Sequence, residues 1–512
     1  MSNTATPRLG GKKKLGVLAV AFLVVAASAP LTVVAGGVTT ALAVTGSTAI
    51  PFGYILLTVA LVIFAVGYAA MSRFVTNAGA FYAYISQGAS RALGVGSSLI
   101  ALVAYNMMQV GIAGLLGFQI STELAGRFGV VTPWWLWVFV FIIIVGALGM
   151  NRIDFSVKVL GVLVALEFLV VIIFDVTSFI VAPEGVSAAP LVGTDFWGPA
   201  AGAILAFGVA AFMGFESGAL YGEESKNPKT TVARATYLAV IVIGVFYAIS
   251  SWAMISAGGA TVTTDAVAGP PYFFGLLGAQ AGVIISDIAS LLFITSLFAS
   301  LVSFHNAVAR YNFSLGRERI LPRGLAKVSK GGAPWAGSLV QSVIAVLVVV
   351  GFIIGEATTG GAYIVPDGLG EGINLNVFPL LTMFNWLTNT GALGLVLLMA
   401  LVSIAVIGYF AKDKRGVNVW SRVIAPLIAA LALLGVFVLI VANFNVLLTS
   451  DPTAPVTATT FILPLIVIVP GIIGLIYGLV LKARRPKTYA QIGHGIAEDH
   501  AAGGLGEAPR GI

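Results

Sequence analysis

Three carboxylates sit within runs that are otherwise soluble in lipid: Glu167, Glu216 and Asp287. A charge at membrane depth costs on the order of 3 kcal/mol unless a partner, water or a proton offsets it, so such groups mark function. Glu216 is the most informative. It lies in Phe212-Met213-Gly214-Phe215-Glu216-Ser217-Gly218, where two glycines interrupt a segment that would otherwise run as a helix. A broken helix carrying an acid suits the movement of a solute. Tyr105, Asn106 and Gln109 form a polar patch on one side of another helix, consistent with cavity lining or, for Tyr105, with helix packing. His305 reads as a satisfied structural histidine near a helix end. With three histidines, no clustered ligands and no cysteine, the chain offers no metal site, disulfide or cofactor attachment, and no cofactor is expected.

The elements that hold these residues follow from composition. The chain is 59% hydrophobic and 9% charged, whereas a soluble domain carries roughly a quarter charged residues. This is the balance of a polytopic membrane protein. A helix crossing about 30 Å of hydrocarbon needs about 20 residues. Twelve apolar stretches qualify, beginning near residues 15, 51, 94, 133, 155, 197, 233, 281, 336, 379, 421 and 460, and none alternates as a barrel strand would.

Threading these spans with both termini in the cytoplasm leaves only Arg127 outside among 27 lysines and arginines. That is a positive-inside pattern, so the net charge of +7 reflects topology and no nucleic-acid partner is implied. The N-terminus resembles a secretory signal, with Ala27-Ser28-Ala29 as a cleavage-like site. Pro30 and the continuing apolar run argue instead for a retained first span. The expected organisation is a cytoplasmic tail over residues 1–14, a membrane domain over 15–482, and a disordered cytoplasmic tail over 483–512.

Two spans share a defect. The first reads Thr32-Val33-Val34-Ala35-Gly36-Gly37-Val38, and the sixth holds the Phe212 to Gly218 run. Adjacent glycines weaken a helix by about 1 kcal/mol each relative to alanine. Interrupted spans in corresponding positions of two halves point to an inverted-repeat transporter, although glycines also serve as close-packing points in membrane helices. Asn227 and Pro228 fit the cap and first turn of the seventh helix, while Glu223 and Glu224 are either gate residues or solvated surface acids.

The glycine pair after Ala35, the stretch GFESGALYGEESKNPKTTVARA, the Asn77 to Tyr84 connection and the run from Arg310-Tyr311 to Gly316-Arg317-Glu318-Arg319-Ile320-Leu321-Pro322 together resemble the amino acid-polyamine-organocation (APC) superfamily of permeases. The resemblance covers about residues 15 to 480. It implies an all-α polytopic membrane protein of twelve transmembrane helices, with a 5+5 inverted-repeat core, discontinuous helices 1 and 6, and helices 11 and 12 peripheral.

It further implies that a substrate's carboxylate and amine are held by main chain at the two breaks, because half-helix termini expose N–H groups at one end and carbonyls at the other. Carried over, the substrate candidates are Val34, Ala35, Gly36 and Gly37 in the first span, Phe212, Met213, Gly214 and Glu216 in the sixth, and Tyr105 in the third. Glu216 is read as a proton carrier, a network anchor or a carboxyl that shapes the break. Some family members place a gating tryptophan six residues before this acid; here that position is Ala210, with Phe207 and Phe212 nearby.

The resemblance places Glu167 in the fifth span facing spans one and eight, where a protonatable group would couple transport to a proton. Thr295, Ser296, Ser300 and Ser303 in the eighth span are its candidate partners, or with a carboxylate they would line a sodium site; Ser300 joins Glu167 as an ion-coupling candidate. Asp287, in the outer third of that span, receives no coupling role. The expectation is a secondary active transporter of amino acids or related amines in the plasma membrane, working by alternating access with proton symport. Exchange without ion coupling and a transporter-like sensor are the alternatives. An embedded enzyme would need catalytic groups gathered at one depth, and the sequence holds no such set.

Overall fold

The computed structural model of the chain describes residues 16–75, 81–151, 157–216, 228–329, 331–364, 375–451 and 453–493. Expectations for residues 1–14, for Asn77 to Ala80, for Ser217 to Asn227 with Glu223 and Glu224, and for 494–512 of the C-terminal tail lie outside these residues; the start of that tail, 483–493, is described and is mostly helical, holding the end of the helix Ala458–Arg484 and the helix Pro486–Gln491.

The described chain is almost entirely helical. Its first stretch holds α1 (Val17–Ala27), a π-helical segment (Thr32–Val38) and α2 (Thr39–Thr45), followed by α3 (Ile50–Ser72) and the short α4 (Phe81–Gly88). Next come α5 (Arg91–Phe128), α6 (Trp134–Asn151), α7 (Val157–Val181), α8 (Ala189–Val192) and α9 (Ala201–Phe212). The chain continues with α10 (Pro228–Gly258), α11 (Val262–Asp265), α12 (Pro270–Ala281), α13 (Val283–Arg317) and α14 (Trp335–Thr359). A second π-helical segment (Phe378–Phe384) leads into α15 (Asn385–Lys412), then α16 (Ala425–Ala442), α17 (Phe444–Thr449), α18 (Ala458–Arg484) and α19 (Pro486–Gln491). Two short strands, β1 (Tyr363–Ile364) and β2 (Leu375–Asn376), pair antiparallel with Tyr363 opposite Asn376.

Ten of the described helices are long and apolar enough to cross a membrane. The apolar segments that fall short are the interrupted ones, Thr32–Thr45 and Ala201–Phe212. The longest, α5, is the central strut: 78% of its apolar window is buried, against 28% for α14, which turns most of its surface outward. Its ends are set locally. The Ser90 hydroxyl accepts from Leu93 N at 3.1 Å, and Gly129 closes the helix at φ 66°. Packing against it, α18 brings Gly474 and Gly478 so close that added Cβ atoms would meet Gly96 Cα at 2.8 Å and Ala92 Cα at 2.6 Å. Small residues allow this approach, which supplies the dispersion that holds helices together where lipid removes the hydrophobic drive. The seventh apolar stretch starts where its proline predicts, at Pro228.

The interruption in the first stretch is real but displaced. It falls at Ser28 and Ala29, about two helical turns before the expected Ala35-Gly36-Gly37. Pro30 explains the position: it brings no N–H to continue α1 and its ring disfavours the helical region for the residue before it, and Ala29 stands outside that region at φ 46°. The glycine pair instead lies in the π-helical segment, which runs on into α2 without a gap. There the Thr39 and Thr40 hydroxyls donate to Ala35 O and Gly36 O, each at 2.7 Å. The sixth stretch breaks where its glycine predicts. After Phe212 the chain is extended at Met213 (ψ 128°) and left-handed at Gly214 (φ 110°), a conformation open to glycine for want of a Cβ.

Candidate solute site between the two breaks

The two interruptions face one cavity of about 50 Å³. A water needs about 10–15 Å³ of such space, so this is room for a few waters or a compact solute group. From the first stretch come Ser28, Ala29, Thr32, Val33 and Gly37; from the sixth, Phe207, Ala210, Ala211 and Met213. Helix α5 adds Met108 and Ile112, α13 adds Ser300 and Phe304, and the α15 region adds Phe384 and Thr388. Among the described residues no charged side chain borders the space. The polarity it meets is hydroxyl and main chain, including the last turn of α9, where the regular helical ladder ends and Met213 N closes on Ala210 O at 3.1 Å.

Each break is held by side chains from distant helices. At the first, the Tyr247 hydroxyl of α10 donates to Ser28 O at 3.1 Å, and Ser28 Oγ donates back to Val25 O at 2.7 Å. At the resumed helix, Glu167 of α7 accepts from Leu31 N at 3.4 Å and from Ser296 Oγ of α13 at 2.8 Å, while Thr32 Oγ1 donates to Ser296 Oγ at 3.1 Å. Glu167 is 3% exposed, and it has no ion-pair partner among the described residues. It caps a half-helix start, where the N–H groups carry partial positive charge. At the second break, Glu216 accepts from Gly214 N at 3.0 Å and from the Tyr105 hydroxyl at 2.5 Å, and the Tyr68 hydroxyl donates to its carbonyl at 3.3 Å. The Glu216 carboxylate thus ties the unwound turn to α5, and its main-chain carbonyl ties it to α3.

Among the residues singled out from sequence, Gly37, Met213 and Ser300 border the cavity, and so do Phe207 and Ala210. Val34, Ala35 and Phe212 are fully buried away from it, and Gly36 packs on α5. Tyr105 and Glu216 meet each other rather than the space, and Gly214, bonded to Glu216, does not border it either. Glu167 and Ser296 come together with the first stretch, whereas the Thr295 hydroxyl turns to its own helix at Leu292 O, 2.8 Å.

The polar patch on α5 divides. Asn106 donates to Leu102 O of its own helix at 2.7 Å, and Gln109 joins a buried network with His305 (3.3 Å) and Gln341, in which His305 also pairs with Ser338 at 2.6 Å. That network is interhelical mortar, as read for His305.

Asp287 stands apart from the other two acids. It stands in the second turn of α13, 45% exposed, and pairs with Arg127 of α5 at 2.7 Å; the same guanidinium also bonds Glu123. It lies at a helix end rather than in the apolar interior, because α13 starts only at Val283.

Several residues of the site escaped sequence reasoning. Ser28 and Ala29 were visible as a cleavage-like triplet, and Thr388 belongs to the polar run Asn385, Thr388, Asn389, Thr390 inside an apolar helix, a usable signal. Away from the cavity, Asp175, which accepts from Ser250 Oγ at 2.8 Å, is a third buried acid in an apolar run, beside Glu167 and Glu216.

Comparison with known proteins agrees with this geometry. The branched-chain amino acid permease BcaP of Lactococcus lactis subsp. cremoris is 25% identical over 317 residues, spanning 58% of this chain and 67% of that protein. An uncharacterized amino-acid permease of Schizosaccharomyces pombe is 22% identical over 271 residues, 46% of this chain and 51% of its own length. Among solved structures, MhsT in complex with L-phenylalanine superposes with a TM-score of 0.55 at 14% identity, covering 84% of this chain and all of that one. The Eremococcus coleocola manganese transporter gives 0.55 at 16% identity, covering 93% and 98%. These two share the fold. The family model described as "Amino acid permease" matches residues 22–489, and a chain matched over nearly its whole length, with two broken helices converging on a small cavity, belongs to the amino acid permease family.

Proposed function

We propose that this permease carries neutral, apolar amino acids across the plasma membrane by alternating access, driven by proton symport. The observation that carries the reading is the cavity at the meeting of the Ser28–Ala29 and Met213–Gly214 breaks. Main-chain polarity at one side suits the zwitterion common to all amino acids. The remaining wall of Val33, Met108, Ile112, Phe207 and Phe304 suits an aliphatic side chain and offers a charged one no partner. The BcaP relative, named for branched-chain amino acids, supports the same substrate class.

In this reading the twelve apolar stretches are twelve spans, the first five and next five are inverted repeats, and both termini are cytoplasmic. Glu167 is the proton carrier. Protonated, it is a neutral buried group; deprotonated, it draws on Leu31 N–H and Ser296, so its charge state bears directly on how the resumed half-helix sits beside the cavity. Ser300 completes the wall on the same helix as Ser296.

The test is radiolabelled leucine uptake by purified protein in liposomes. An inward proton gradient is expected to accelerate uptake in the wild type, and Glu167→Gln is expected to abolish that acceleration while leaving leucine binding within threefold. Retained proton drive in the variant would remove Glu167 from the coupling role; no uptake of any neutral amino acid would remove the function.

A further inference from the structure

A second cavity, remote in role from the first, lies where α13 ends. Arg319 leaves the helix on a left-handed backbone (φ 61°), and the turn is pinned by Ile320 N and Leu321 N, which both donate to Leu315 O at 2.9 and 3.1 Å. Ile320 buries to 5% exposure, and the following turn Arg323–Ala326 folds back on the helix, so that a Cβ on Gly316 would meet Ala326 N at 2.9 Å. Opposite this rigid turn, α18 contributes Tyr477 and its C-cap Arg485. Between them is a space of about 440 Å³ lined by Arg319, Arg323, Arg485, Tyr477 and residues 320–322.

Among the described residues three guanidinium groups border this space and no carboxylate does. None of the three forms an ion pair among the described residues. The acid beside them in sequence, Glu318, is turned to the Tyr82 hydroxyl and to Gly493 N at 3.2 Å. Like charges sharing one hollow repel, and an anion between them would offset that cost. Guanidinium forks match phosphate oxygens in pairs. Depth points to the source of the phosphate. Tyr477 belongs to the part of α18 long and apolar enough to cross a membrane, followed by Lys482, Arg484 and Arg485, an order that fits the boundary between hydrocarbon and water where tyrosine rings settle.

We propose that this cavity binds the phosphate headgroup of an anionic phospholipid, with Arg319, Arg323 and Arg485 on its oxygens and Tyr477 against the glycerol end. Native mass spectrometry and thermal melts of the purified full-length protein test it, using phosphatidylglycerol, phosphatidylcholine and inorganic phosphate as separate probes. Wild type is expected to retain one phosphatidylglycerol more than the Arg319→Gln/Arg323→Gln/Arg485→Gln variant, with affinity falling roughly fivefold per arginine removed. The control Lys414→Gln, an exposed cation outside the cavity, is expected to match wild type. The arginines are exposed, so the variants are expected to fold; single Arg485→Gln carries the same fivefold expectation if the triple does not. Equal phosphatidylglycerol retention by the variants, or equal retention of phosphatidylcholine by wild type, would overturn the site. Stabilisation by inorganic phosphate as large as that by phosphatidylglycerol would overturn the lipid as its occupant.

Discussion

The glycine pair shows how two adjacent residues of one type take different work. A side chain on Gly36 would strike Leu115 Cδ2 of α5 at 2.7 Å, whereas one on Gly37 meets nothing nearer than Val33 Cγ1 at 3.8 Å and projects beside the cavity. Gly36→Val is therefore expected to lower stability by about 1–3 kcal/mol through overpacking. Gly37→Val is expected to keep the melting temperature and weaken leucine binding at least tenfold by filling the space. Thermal melts and equilibrium binding on the two variants separate these outcomes; unchanged binding in Gly37→Val would move the solute elsewhere. Glu216 is the complementary case. Its bonds to Gly214 N and Tyr105 make it a brace of the break, the role that sequence left open beside proton carriage.

At the scale of elements, the apolar stretches were legible because membrane thickness sets their length, and the sixth interruption was legible because Gly214 occupies a backbone region that other residues avoid. The first was misplaced because two glycines looked weaker than one proline. A π-helical segment absorbs the glycines, while Pro30 removes a donor outright and disfavours helical backbone at Ala29, which stands at φ 46°. What joins the pieces was not legible. Tyr105 and Glu216 are 111 residues apart, and Leu31 and Glu167 are 136 apart, distances over which hydropathy carries no pairing information. Pro30→Ala tests the cause of the first break. Restoring the N–H is expected to favour a continuous helix through Ser28, leaving thermal stability unchanged or raised while uptake falls at least tenfold. Full uptake with alanine would show that Tyr247 and Glu167 suffice to hold the break.

The whole molecule stands with its basic residues at one side of the bilayer in the proposed orientation, and the absence of cysteine makes this directly measurable. Ser187→Cys, in the connection between α7 and α8, and Lys414→Cys, after α15, are both exposed. Intact cells treated with a membrane-impermeant maleimide are expected to label the first and spare the second, with both labelled after lysis. The reverse pattern would invert the topology and with it the direction of the proton drive.

The wall of the solute site has two kinds of component with different fates under mutation. Peptide groups at Ser28, Ala29 and Met213 persist whatever codon stands there, whereas Ile112, Phe207, Ala210 and Phe304 differ from alternatives only in bulk. On the proposed reading, divergence within such a lineage can thus trade one nutrient for another by resizing a few hydrocarbon groups, while the grip on the shared ammonium and carboxylate is inherited intact. Recognition of the class would then be written in the backbone, and recognition of the member in a handful of replaceable carbons.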